Sequence, residues 1–254
     1  MHGWSSKPNG ESVRPQWLRS QPRGGKPPAM IIVCFPPAGG GSGSFAKLRE
    51  VTSEHAECVT VELPGRMSRL ADEPIRDLEI LADRVAESVV DAIEPRDVPY
   101  VFLGLCMGAV LAYEVAARVE AAGAAGPRRL VAAGSNAPQE DPPVVDDPVE
   151  FLRQMGSPDE LFDAPELLEM TIGILRSDLD LVRSYRCPGR KLNAPISVLY
   201  GRDDTLVDRD RIAQWEQLAA TVTIEELPGG HFFLDQNYER LLDRLHGDPS
   251  PQHR

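Results

Sequence analysis

The chain has 254 residues, 42% hydrophobic and 26% charged, enough for one large domain or two small ones and too apolar for wholesale disorder. A domain of this size hides roughly three quarters of its unfolded surface, so a sizeable core is expected. Its 27 Lys and Arg against 39 Asp and Glu leave a net charge of −12, a surface that repels phosphate backbones and counts against nucleic acid as a partner.

Residues 1–28 are rich in Pro, Gly, Ser and Arg, lack periodicity and carry no apolar segment of the kind a secretory signal needs. They are expected to be a disordered N-terminal tail, as are residues 247–254, leaving 29–246 as the folded domain. The run AMIIVCF (29–35) reads as a buried strand that stops at Pro36 and Pro37. CVTVEL (58–63) reads as a second strand, closed by Pro64 and Gly65. From Asp77 to Glu94 the apolar residues Leu78, Leu81, Val85, Val89 and Ile93 recur every three or four positions, one face of a helix.

YVFL (100–103) is a further strand, followed by GLCMG (104–108) and a helix over 109–122. RLVAA (129–133), PISVLY (195–200) and VTIEEL (222–227) complete the strands, with a helix around 208–218 and another beyond Phe232. Strands separated by helices predict an α/β protein, a mostly parallel sheet with helices on both faces. Between the strands at 129–133 and 195–200, residues 138–190 offer no strand but two helical patterns, near 149–155 and over 165–185. Such an insertion is expected to form a helical lid over the carboxyl ends of the strands. No apolar run approaches the ~20 residues needed to cross a bilayer, so no membrane partner is expected. Four widely separated cysteines without a CxxC pair speak against zinc and a disulfide framework, and for a cytoplasmic protein with reduced thiols.

The segment GLCMG carries the chemistry. A strand before it and a helix after it match the nucleophile elbow, G-x-S-x-G, with Cys106 in the serine position. The turn strains the nucleophile's backbone, and larger residues than glycine two positions either side would collide with neighbouring elements. A helix N-terminus and a nearby imidazole favour the thiolate, the attacking form. Cys34, Cys58 and Cys187 lack this context and read as small buried hydrophobes.

A nucleophile in this arrangement needs an acid and then a histidine downstream. Asp203 and Asp204 follow the strand at 195–200, and Asp204 is the favoured acid, with Asp203 a solvated loop charge. His231 follows the strand at 222–227 in a tight Pro-Gly-Gly turn, as the candidate base. His2, His55, His246 and His253 read as solvated. Two backbone N–H groups should stabilise an oxyanion, those of Met107, directly after the nucleophile, and of Ala38, in the glycine-rich loop after the first strand. That loop lacks the Gly-Lys-Ser/Thr ending of a phosphate-binding loop, which counts against a nucleotide.

FPPAGGGSGSF (35–45), LPGRMSR (63–69), PELLEMTIGILRSDLDLVRSYR (165–186), YGRDDTLV (200–207) and LPGGHFFL (227–234) together resemble the type II thioesterases of polyketide and nonribosomal peptide biosynthesis. The resemblance covers residues 30–242 and implies the α/β-hydrolase fold. It further implies Cys106 as nucleophile, Asp204 as acid, His231 as base, and Ala38 and Met107 as oxyanion donors. No cofactor of its own is implied. The substrate would ride on the phosphopantetheine arm of an acyl- or peptidyl-carrier protein, or on coenzyme A, and a monomer is expected. Arg66 and Arg69 read as loop structure and solvated charge in preference to a functional role. Arg183, Arg186, Arg190 and Lys191 offer a basic patch for an acidic carrier, or a solvated face.

The chain departs from the family at the elbow, where Gly-His-Ser-Met-Gly is usual and Leu105 and Cys106 stand here. Acyl-cysteine is itself a thioester, near thermoneutral with the donor, so it can pass to a second thiol as well as to water. Three readings stand: a hydrolase releasing acid from acyl-Cys106, a transferase passing the group to another thiol or an amine, and a binding protein without chemistry.

Overall fold

The computed structural model describes residues 17–20, 27–52, 56–142, 144–155 and 157–246. Among these, seven strands form one sheet: β1 (Leu18–Ser20), β2 (Met30–Phe35), β3 (Ala56–Val61), β4 (Tyr100–Leu105), β5 (Leu130–Ala133), β6 (Ile196–Gly201) and β7 (Val222–Leu227). Their spatial order is β1-β3-β2-β4-β5-β6-β7, and every neighbouring pair is parallel except β1 with β3. The helices are α1 (Ala46–Thr52), α2 (Leu78–Ala92), α3 (Met107–Ala121), α4 (Pro148–Gln154), α5 (Asp159–Phe162), α6 (Pro165–Ser184), α7 (Arg209–Ala213) and α8 (Tyr238–His246).

β2 shows why its sequence is apolar throughout. Ile31, Val33 and Phe35 face one core with α2 and α3, while Ile32 and Cys34 face a second with Leu48 of α1 and Leu241 and Leu245 of α8. A strand covered on both faces has no polar side. α2 is amphipathic and begins at Asp77, whose carboxylate accepts the N–H groups of Glu79 and Ile80. α3 is instead buried almost all round, between the sheet and α2, so its sequence shows little helical period. That burial makes it a rigid mount for whatever stands at its N-terminus.

Two expectations need correction. Residues 17–20, assigned to the N-terminal tail, are ordered, and Leu18–Ser20 form β1 and pair antiparallel with β3, Leu18 opposite Val61. α1 was not anticipated at all, and the helix expected over 208–218 divides into α7 and a 3₁₀ turn at Gln214–Gln217. The rest of the N-terminal tail apart from residues 27 and 28, the C-terminal tail, and His2, His55 and His253 lie outside the described residues. α4, α5 and α6 occupy the insertion between β5 and β6. No described helix is long and apolar enough to cross a membrane.

Candidate active site

Cys106 links β4 to α3 with φ +51° and ψ −118°, a left-handed conformation that a cysteine adopts only under constraint. The constraint is visible on both sides. Its N–H donates to the carbonyl of Ala133 on β5 at 2.9 Å, and its carbonyl accepts from Ala109 at 2.9 Å. The flanking glycines are sterically required: a Cβ at Gly108 would lie 2.1 Å from the carbonyl oxygen of Phe35, and one at Gly104 2.4 Å from Cα of Ala109. β4 and α3 can therefore close on the turn only with glycine at both places.

The loops after β6 and β7 bring the other two groups together. Asp204 Oδ2 lies 2.8 Å from His231 Nδ1, while its Oδ1 accepts the N–H of Leu206 at 2.9 Å. Both side chains are buried, Asp204 wholly and His231 to 5% exposure. Asp203 is exposed. With Nδ1 turned to Asp204, Nε2 is the ring nitrogen left free of the carboxylate, and Cys106 lines the same two cavities as the ring. Burial works against charge on the ring, but the bonds and charges of Asp204 and Cys106 outweigh it, and the His231 pKa is pushed up to about 10. An imidazolium at neutral pH is a ready proton donor to a leaving group and an electrostatic partner for a thiolate.

Gly134, at the end of β5, was not singled out in the sequence. A Cβ there would lie 3.3 Å from Cε1 of His231, and its φ is +61°, so a bare backbone makes room for the ring. Its signal is faint: one glycine after a strand.

Ala38 and Met107 line the same cavity as Cys106 and His231. Met107 is the first residue of α3, so its N–H has no partner within the helix and faces the start of the helix dipole. The cavity wall is apolar, with Val110 from α3, Phe151 from α4, Leu179 and Val182 from α6, and Leu206. Tyr185 closes the end near α6, its hydroxyl donating to the buried carboxylate of Glu114 on α3, which also pairs with Arg118. A second apolar cavity also borders Cys106 and His231, between Phe45, Leu48, Leu105, Phe233 and Leu241. A groove bounded by residues 37–40, Ser44, Lys47, Leu152, Met155 and Phe232 reaches Ala38 from the surface.

Other assignments divide. Cys34 and Cys58 are buried on β2 and β3, as read from the sequence, and burial pushes the Cys34 thiol up. Cys187 is half-exposed and lines the cavity beside Tyr185, so it is not a core hydrophobe. Arg66 and Arg69 are not solvated. Arg66 pairs with Asp178 of α6, both about 5% exposed, and Arg69 bonds Asp72 and the carbonyl of Glu62 and stacks on Trp17. Local sequence makes an arginine look like surface charge; only the approach of α6 supplies its partner. Arg183, Arg186, Arg190 and Lys191 are exposed.

Residues 30–248 match the thioesterase domain family. A probable cadicidin biosynthesis thioesterase of Streptomyces griseus is 32% identical over 249 residues, 92% of this chain and 67% of that protein. Among solved structures, the type II thioesterase BorB from the borrelidin biosynthetic cluster is 28% identical at a TM-score of 0.78, covering 90% of this chain and 95% of that one. The RedJ thioesterase from the prodiginine pathway of Streptomyces coelicolor is 30% identical at a TM-score of 0.77, covering 89% of this chain and 90% of that one. The match along nearly the whole sheet and both flanking helix layers places the chain in the thioesterase family, in the α/β-hydrolase fold, with type II thioesterases among its relatives.

Proposed function

We propose that the protein takes an acyl or aminoacyl group from the phosphopantetheine thioester of a carrier protein onto Cys106 and releases it to water, in polyketide or nonribosomal peptide biosynthesis. The observation that carries the reading is a strained cysteine on a helix N-terminus that shares a cavity wall with an imidazole itself held by a buried carboxylate. Family membership supports hydrolysis of thioesters, and the biosynthetic pathways of the relatives support carrier-bound substrates.

In the first step the Cys106 thiolate attacks the thioester carbonyl and its oxygen takes the negative charge, with the N–H groups of Ala38 and Met107 as donors. The carbon–sulfur bond to the carrier breaks, and His231 gives its proton to the departing pantetheine thiol. In the second step His231 takes a proton from water as the oxygen attacks acyl-Cys106. The bond to Sγ breaks, acid leaves, and the thiolate–imidazolium pair returns. Asp204 holds the ring so that Nε2 faces the sulfur throughout. The apolar cavity under α4 and α6 suits the acyl chain, and the groove reaching Ala38 suits an extended arm. No cofactor of the protein's own enters the scheme.

A second reading has its own support. Acyl-cysteine exchanges with thiols at little energetic cost, and a second, separately lined cavity also borders Cys106 and His231. Incubation with a labelled acyl-carrier protein should leave a mass adduct on Cys106 that Cys106→Ala abolishes. An adduct persisting in that variant would show that another residue is the nucleophile. Adding an empty second carrier separates the readings: label released as free acid supports hydrolysis, and label on the second carrier supports transfer.

A further inference from the structure

The loop that carries Ala38 is held from outside the catalytic residues. The carbonyl of Pro37 accepts the N–H of Gly40 at 3.0 Å, which closes a four-residue turn with Ala38 and Gly39 in the middle. Gly39 has φ +73°, the conformation that the third position of a type II turn requires. In such a turn the peptide between Ala38 and Gly39 could also flip, which would reverse the Gly39 N–H and change the geometry at Ala38. Here that N–H is fixed: it donates to Asp178 Oδ2 at 2.8 Å.

Asp178 belongs to α6, and the same oxygen accepts from Arg66 Nη1 at 2.7 Å while Oδ1 accepts from Nη2 at 2.5 Å. Arg66 Nη1 also donates to the carbonyl of Gly40 at 3.0 Å. The ion pair thus grips the turn at Gly39 and Gly40, one residue beyond Ala38, and ties it to the helical insertion 139 residues along the chain. It is almost wholly buried, and Arg66 Nε has no hydrogen-bond partner among the described residues. A charge pair this dry is a poor source of stability, because desolvation cancels much of its attraction. Its directional bonds to the turn give it a different use.

We infer that Arg66 and Asp178 are positioning residues that set the Ala38 N–H for the developing oxyanion, and that they make this donor depend on α6 being in place. The inference rests on the reading that Cys106 is acylated. When α6 covers the acyl cavity, Asp178 completes the turn. If α6 lifts, Gly39 loses its acceptor and Arg66 its counter-charge, so the donor is set only when the cavity is closed.

The test uses two reactions of one sulfur. Acylation by an acyl thioester passes through an oxyanion, whereas alkylation by iodoacetamide, in which the thiolate displaces iodide, does not. Asp178→Ala should slow acylation of Cys106 tenfold or more and leave alkylation within about twofold of the unmodified protein. Because a lone buried Arg66 could prevent folding, the double variant Arg66→Met with Asp178→Leu removes both charges together and should show the same split. Equal acylation in the folded double variant would overturn the inference. So would acylation and alkylation falling in parallel, the pattern of a merely structural pair. Absence of acyl-Cys106 in the unmodified protein would sink the functional reading itself, a result distinct from either.

Discussion

Asp204 reaches His231 across 27 residues of chain, Oδ2 to Nδ1 at 2.8 Å, and it does so with its other oxygen already bound to the Leu206 N–H. Both oxygens of the carboxylate are engaged, so the ring is aimed from a fixed support. Asparagine at 204 could turn its NH₂ to Nδ1 and leave the ring's proton on Nε2, facing the sulfur. Asp204→Asn is expected to slow acylation of Cys106 at neutral pH about 100-fold or more. Asp203→Asn, at an exposed neighbour, should stay within about twofold. Acylation rates by stopped-flow mass analysis compare them; equal losses would mean that the loop, and not the carboxylate at 204, matters.

The same contact ties stability to pH. The imidazole pKa rises from 6.5 to about 10 on folding, despite burial, because Asp204 and Cys106 favour the protonated ring. The folded state therefore holds this proton more tightly than the unfolded chain. The associated stabilisation is complete below pH 6.5, declines as pH rises from there, and is gone above about pH 10. Thermal denaturation of the protein and of His231→Gln should show a difference in Tm that is largest near pH 6 and narrows steadily towards pH 10. A difference that widened with pH would mean that the ring is buried neutral.

Two glycines in helices should respond oppositely to alanine. At Gly108 the new methyl would sit 2.1 Å from the Phe35 carbonyl oxygen, backbone that cannot move without parting β2 from α3. Gly108→Ala is expected to cost more than about 3 kcal/mol or to prevent folding. At Gly173, exposed within α6, nothing lies within 4 Å of the same position. Gly173→Ala should stabilise by about 0.5–1 kcal/mol through helix propensity alone. Urea denaturation midpoints measure both.

The difference between those glycines also shows what sequence could reveal. Gly104 and Gly108 were legible because a buried strand and a helix bracket them, a context that leaves one geometry. β2 was legible because both its faces are covered. β1 was not: it joins the sheet through backbone bonds while Arg19 and Ser20 stay exposed, so Leu18 alone is too short an apolar signal to mark a strand. α1 was missed beside a glycine-rich loop, and only Leu48 and Thr52 of its residues are buried. Asp204 and His231 could be placed on adjacent loops by chain order, though not at hydrogen-bonding distance. Arg66 and Asp178 lie 112 residues apart, and nothing local in either segment states that opposite charges will meet in a dry place. Resemblance to a family drew attention to both segments; the approach of α6 to the loop is a fact of packing alone.

Replacing sulfur by oxygen at the elbow separates release from transfer. An acyl-serine is an oxoester, lower in free energy than the carrier thioester, so its formation is downhill and its passage to a second thiol is uphill. Water remains a favourable acceptor for either ester. A hydroxyl is also a weaker nucleophile than a thiol at neutral pH and needs more from the His231 base, so the first step slows. Cys106→Ser is therefore expected to keep releasing free acid from an acyl-carrier protein, at a turnover reduced by about tenfold to 100-fold. Any transfer to an empty second carrier should vanish, with an oxoester adduct accumulating where hydrolysis is the slower exit. Counting label in free acid, on residue 106 and on the second carrier measures all three fates in one experiment. Transfer continuing undiminished through the serine would show that relative ester energies do not govern the outcome, and that the acceptor is chosen by the shape of the second cavity between Leu48, Leu105 and Leu241.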